Sequence, residues 1–143
     1  MCKDEKRSCI TINCGCCEGN DNTATENIYS TEETVCGTWI DGKPIYRKVI
    51  SGTLAEQNGN GLVFANVSEL QIDRLINLHG NMFDYDRTAQ LVFPISYNRT
   101  NGLFGAINMF YGNETGNIFY HYLNNNGEYS GSTAYVILEY TKQ

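Results

Sequence analysis

The sequence predicts an all-β fold, an antiparallel β-sandwich of jelly-roll type, behind a cysteine-rich and largely irregular N-terminal arm. Three observations lead there. Among 143 residues there are 14 Gly, 10 Tyr and 6 Phe, so turn-formers and β-formers outweigh the Ala, Leu, Glu and Lys that fill helices. From Tyr29 onward, short apolar runs are broken by Gly, Asn and Asp at the spacing of hairpins. Within those runs side chains alternate with the period of two that a strand imposes.

The length is that of one domain. A chain of about 150 residues removes roughly 68–70% of its unfolded surface from water, so the body is expected to fold without metals or disulfides. The sequence divides into an arm and linker over residues 1–27 and a β-sandwich domain over 28–143. Five of the six cysteines, Cys2, Cys9, Cys14, Cys16 and Cys17, lie in the arm, whose only apolar run is Ile10-Thr11-Ile12. Residues 18–25 are small and polar without periodicity and read as a linker. The spacing C-x6-C-x4-C-x-C-C offers thiolates to zinc or a cluster. It lacks the C-x2-C pair of structural zinc sites, and no His lies near it. Three states stay open for these cysteines: free thiols, disulfides within or between chains, and a metal site. Cys36, inside a strand, reads as a small buried hydrophobe.

The first strand is expected over residues 34–40. Asp41-Gly42 is a turn signal leading into a second strand over 43–50, with Pro44 at its start because proline has no N–H to give a ladder. Asn58-Gly59-Asn60-Gly61 forms a loop before a strand over 62–66. Residues 68–78 carry two signals. Ser68-Glu69-Leu70-Gln71 is a capping-box pattern with Leu70, Arg74, Leu75 and Leu78 near helical spacing, while Leu75 to Gly80 reads as a strand, and the strand from about 74 is preferred. Further strands are expected over 91–97, 103–111, 117–123 and 133–140, separated by Asn101-Gly102, Gly112-Asn113 and Asn124-Asn125-Asn126-Gly127.

Alternation then sorts faces. Ala134, Val136, Leu138 and Tyr140 oppose Tyr135, Ile137 and Glu139, and Ile118, Tyr120 and Tyr122 oppose Phe119, His121 and Leu123. Both faces carry bulk. A strand with one wet face would show polar residues at every second position, so the outer face is expected to meet a second sheet, a neighbouring subunit or a ligand.

Chemistry in this sequence is thin. No run approaches the roughly 20 apolar residues of a spanning helix. A net charge of −6 repels phosphate backbones and anionic membranes, so neither nucleic acid nor membrane insertion is expected. The charged start, Met1 to Arg7, is not followed by the apolar stretch of a signal peptide, so export by that route is not expected. No G-x-S-x-G, H-E-x-x-H or Walker pattern appears, and no cofactor is implied. His79 and His121 sit among strand residues, where a lone histidine packs or hydrogen-bonds more often than it catalyses. Asp84 and Asp86 read as a solvated loop, with a glycosidase or Ca²⁺ site as the sharper alternative. The chain is therefore expected not to be an enzyme. What remains is aromatic surface: Tyr97, Phe110, Tyr111, Tyr120, Tyr122 and Tyr129, interleaved with Asn, suit glycan or protein contacts. The competing reading of the same residues is core packing plus a subunit interface.

Residues 29–50, with the core Y-S-T-E-E … G-T-W-I-D-G-K-P-[IL]-Y, resemble a segment of bacteriophage structural proteins that often begins a fibre or receptor-binding domain. The closing residues, Ala134 to Lys142, resemble the last strand of the same domains, so the resemblance spans about 29–143; the cysteine-rich arm departs from it. It implies a non-enzymatic, homotrimeric β-sandwich or jelly-roll module on the virion, assembled in the bacterial cytoplasm. Its partners would be its own copies, other virion proteins through the arm, and a host-surface glycan or protein. A carbohydrate-binding module using the Tyr/Asn surface is the alternative. Within the segment, Trp39, Asp41, Gly42, Pro44 and Tyr46 are expected to have a folding role, with Trp39 and Tyr46 opposed across the Asp-Gly turn, at roughly 0.2–1 kcal/mol for an aromatic cross-strand pair.

Overall fold

The computed structural model describes residues 27–83, 90–98, 104–124 and 130–143. The strands are β1 (Thr34–Thr38), β2 (Pro44–Thr53), β3 (Gly59–Asn66), β4 (Ile72–Phe83), β5 (Gln90–Phe93), β6 (Ile95–Asn98), β7 (Phe104–Gly112), β8 (Asn117–Asn124) and β9 (Thr133–Lys142), with one 3-10 turn at Ser68–Leu70. They form two sheets, β1-β2-β9-β4-β5 and β3-β8-β7-β6, with every pairing antiparallel. The fold is a β-sandwich. β2 pairs with β9 and β3 with β8, so the two ends of the body zip together in nested pairs as in a jelly roll. β9 also pairs with β4 along most of its length, and the remaining pairs are local, β1 with β2, β4 with β5, β6 with β7 and β7 with β8.

The core lies between the sheets and follows the alternation. Ala134, Val136, Leu138 and Tyr140 of β9 are fully buried, and Ile107, Ile118, Met82, Phe93, Val67 and Leu54 are buried in the same core. Each large apolar side chain removed from water contributes roughly 1.5–3 kcal/mol before conformational entropy is set against it. No helix among the described residues is long and apolar enough to cross a membrane.

Several boundaries differ from the sequence expectation: β1 ends at Thr38, β2 runs on to Thr53, and β3 begins at Gly59, so the loop expected over 58–61 is largely strand. Two further differences have a local reason. Both signals at 68–78 are used in turn: the 3-10 turn comes first and the strand starts at Ile72, two residues before the expected position. The capping box does not form. Gln71 turns left-handed at φ 52° and ends the helical turn after three residues, while the Ser68 hydroxyl donates to Asn66 Oδ1 at 2.7 Å. The single strand expected over 91–97 is two. The break is at Pro94, which follows a cis peptide and has no N–H to continue a ladder, and the chain there passes from one sheet to the other.

Candidate functional site

The segment that carries the phage resemblance folds as the β1–β2 hairpin. Its turn has five residues rather than two. Trp39 N–H donates to the Lys43 carbonyl at 2.8 Å and Gly42 N–H to the Trp39 carbonyl at 2.9 Å. Lys43 N–H donates to Asp41 Oδ1 at 3.0 Å, and Gly42 has φ 86°. Pro44 opens β2 opposite Thr38, as its missing donor requires. Trp39 and Tyr46 are not opposed. The longer turn and a bulge between Val35 and Gly37 place Tyr46 against Val35 on one side and Tyr140 on the other. Tyr46 stacks on Tyr140 with ring centroids 6.1 Å apart, and Lys142 Nζ lies 4.8 Å from its ring. The segment's aromatic thus ties the hairpin to the last strand.

Two of the tyrosines expected to make a contact surface are placed elsewhere. Tyr120 and Tyr122 are 2% exposed and belong to the core. The Tyr120 hydroxyl accepts the Ala55 N–H at 2.9 Å, which lets a polar ring sit between the sheets. Tyr111 packs half-buried against the core and borders a polar cleft with Asp73, Arg74, Leu75 and Asn113. Tyr97 lies in β6, paired with Gly105; its side chain falls outside the described residues, as do Tyr129, Asp84, Asp86 and the cysteines Cys2, Cys9, Cys14, Cys16 and Cys17. Cys36 is a half-buried free thiol, and burial pushes its pKa up. No three His, Cys, Asp or Glu side chains among the described residues come together to hold a metal.

The residues that do form a surface are on the opposite face of the same strands. Between β7 and β8 the outward side chains are Asn108 and Phe110, facing His121 and Phe119. Phe110 stacks on Phe119 at 5.3 Å and on His121 at 5.2 Å. Phe110, Leu123 and Val63 of β3 are all exposed, and His121 Nδ1 accepts the Gly61 N–H at 3.2 Å. None of β3, β6, β7 and β8 contains an Asp, Glu, Lys or Arg. The whole four-stranded sheet is uncharged in a chain of net charge −6.

The five-stranded sheet is built differently. On its outer face Arg47 donates to Glu139 Oε1 from Nε at 2.9 Å and from Nη2 at 2.6 Å, and Tyr29 lies over the guanidinium at 4.6 Å. Arg47 Nη1 also donates to Asn27 Oδ1, and the Val49 N–H donates to the Ser30 carbonyl at 2.8 Å. The stretch from Asn27 to Thr31 is thereby strapped across β2. Beside the strap lies a cleft of about 470 Å³ lined by Tyr29, Ser30, Thr31, Val49, Asn81, Tyr135 and Ile137. His79, paired with Ile137, stands next to it with a buried Nδ1 that has no hydrogen-bond partner.

On the inner side of β2 and β9, the Tyr140 hydroxyl donates to Glu33 Oε2 at 2.6 Å and Lys142 Nζ meets Glu33 Oε1 at 2.7 Å. Burial pushes the Glu33 carboxyl up, but Lys142 and Tyr140 outweigh it and hold its pKa below the ordinary value. Burial and the Glu33 carboxylate both push the Tyr140 hydroxyl far up, so it stays a donor. No family model matches the chain, and neither a curated protein nor a solved structure matches it.

Proposed function

We propose that the chain is a non-enzymatic virion structural protein of a bacteriophage. In this reading its β-sandwich trimerises as a fibre, decoration or receptor-binding module, and the N-terminal arm attaches it to the particle. One observation carries the assembly: the charge-free sheet with its exposed Val63, Phe110 and Leu123. Copies of a chain with net charge −6 repel one another. The face that lets them approach is the one that carries no carboxylate and offers apolar area to bury. The resemblance of residues 29–50 and 134–142 to phage fibre domains supplies the virion setting.

The test is the mass in solution, by light scattering with and without reductant. Three chain masses that survive reductant are expected for the wild type. Phe110→Asp is expected to give a folded monomer, because Phe110 is 42% exposed and its loss leaves the core intact. A wild-type chain that is monomeric at micromolar concentration overturns the assembly. Loss on reduction would transfer the assembly to the cysteines. A chain missing from purified particles overturns the virion assignment.

A further inference from the structure

We infer that the cleft on the outer face of the five-stranded sheet binds an uncharged saccharide. The inference rests on the receptor-binding part of the reading above and names its ligand class and site. The cleft's volume, about 470 Å³, lies in the range of ligand sites, roughly 300–1,000 Å³. Its floor is Val49 and Ile137, and Tyr29 and Tyr135 stand at its sides, 56% and 45% exposed. A pyranose has a flat C–H face that packs on aromatic rings and an equatorial rim of hydroxyls that needs amide and hydroxyl partners. Both kinds of surface are present. Asn81 is exposed, and neither its amide nor the Tyr135 hydroxyl makes a hydrogen bond to a described residue; Ser30 and Thr31 add hydroxyls on the strap.

The same polar groups choose between occupants. A second copy or the apolar run of the arm, pressed into the cleft, would take the Asn81 amide and the Tyr135 hydroxyl from water with few groups to satisfy them. Each would cost roughly 1–3 kcal/mol. A saccharide replaces the lost water hydrogen bonds with its own. Among the described residues no lining side chain is charged, and the Arg47–Glu139 ion pair beside the strap is internally satisfied. An anionic sugar therefore finds no free cation in the lining.

The experiment titrates the full chain with uncharged oligosaccharides of glucose, galactose, mannose, rhamnose and N-acetylglucosamine, with sialyllactose and oligogalacturonate as anionic comparisons, followed by NMR or calorimetry. At least one uncharged oligosaccharide is expected to bind. Tyr135→Ala and Asn81→Ala should each weaken it at least about tenfold, while Phe110→Ala, on the opposite sheet, leaves it unchanged. No binding across the uncharged panel overturns the site, as does binding confined to anionic sugars or binding that survives Tyr135→Ala. Nitration of Tyr29 and Tyr135 by tetranitromethane tests the other occupants. Protection that grows with protein concentration assigns the cleft to a second copy, and protection independent of concentration assigns it to the arm; either overturns the site. The mass measured on the same samples separates the two readings. A trimer that binds no saccharide removes the site alone, and a monomer that binds one through Tyr135 keeps the site and removes the trimer.

Discussion

A Cβ at Gly80 would lie 2.4 Å from the Phe93 ring and 2.4 Å from the Tyr135 carbonyl oxygen, whereas one at Gly37 would meet only Ile45 at 3.6 Å. Gly80→Ala is therefore expected to lower stability by about 2–3 kcal/mol, the upper range for overpacking, because one obstacle is backbone and cannot swing away. Gly37→Ala should stay within about 0.5 kcal/mol. Urea unfolding of both variants checks this, and equal midpoints would refute the close approach. Glu33 gives a second residue-level test. Its folded pKa lies below the ordinary 4.5, so its contribution is fully present above about 4.5 and is lost as pH falls through the folded value. Wild type and Glu33→Gln should converge in stability between neutral pH and pH 3, with the difference greatest at the neutral end. Parallel curves would show that the carboxylate contributes nothing through its charge. Neither result was legible in the sequence. Gly80 looked like a strand end and nothing in the sequence singled out Glu33, because Phe93 and Lys142, which decide their roles, are remote in the chain.

The hairpin of β1 and β2 shows what a local motif can and cannot specify. Asp41 and Gly42 mark the turn because Asp41 Oδ1 accepts the Lys43 N–H and Gly42 takes a positive φ. Nothing lies within 4 Å of a Cβ built at Gly42, so Gly42→Ala meets only the left-handed backbone penalty of about 1 kcal/mol. Thermal melts should show the difference. A loss comparable to that of Gly80→Ala would mean a packing role the geometry lacks. The turn was thus readable, but the partner of Tyr46 was not, since a bulge two residues into β1 resets the register. The strands were legible by alternation, including the inward set Ala134, Val136, Leu138 and Tyr140. Pro94 was the clear signal overlooked: a proline inside a predicted strand marks the place where the chain changes sheets. The candidate surface was misread for a related reason. In β8 both Tyr120/Tyr122 and Phe119/His121/Leu123 are bulky, so alternation separates the two sets without saying which faces the partner sheet.

Charge divides the molecule as a whole. The ionised side chains of the described strands belong to the five-stranded sheet, in β2, β4 and β9, and the four-stranded sheet has none. If copies meet through the uncharged face, no interfacial ion pair is lost when salt is added, while the repulsion between chains of net charge −6 is screened. The screening length falls from about 30 Å at 0.01 M to about 10 Å at 0.1 M and 3 Å at 1 M. The concentration at which trimers dissociate should therefore fall as NaCl rises from 20 to about 500 mM, the opposite of an assembly held by salt bridges. Sedimentation equilibrium across that range reads the sign directly. Dissociation promoted by salt would place the contact on the charged sheet, where Lys43 and Asp73 are exposed, and would leave the Phe110 face for another partner.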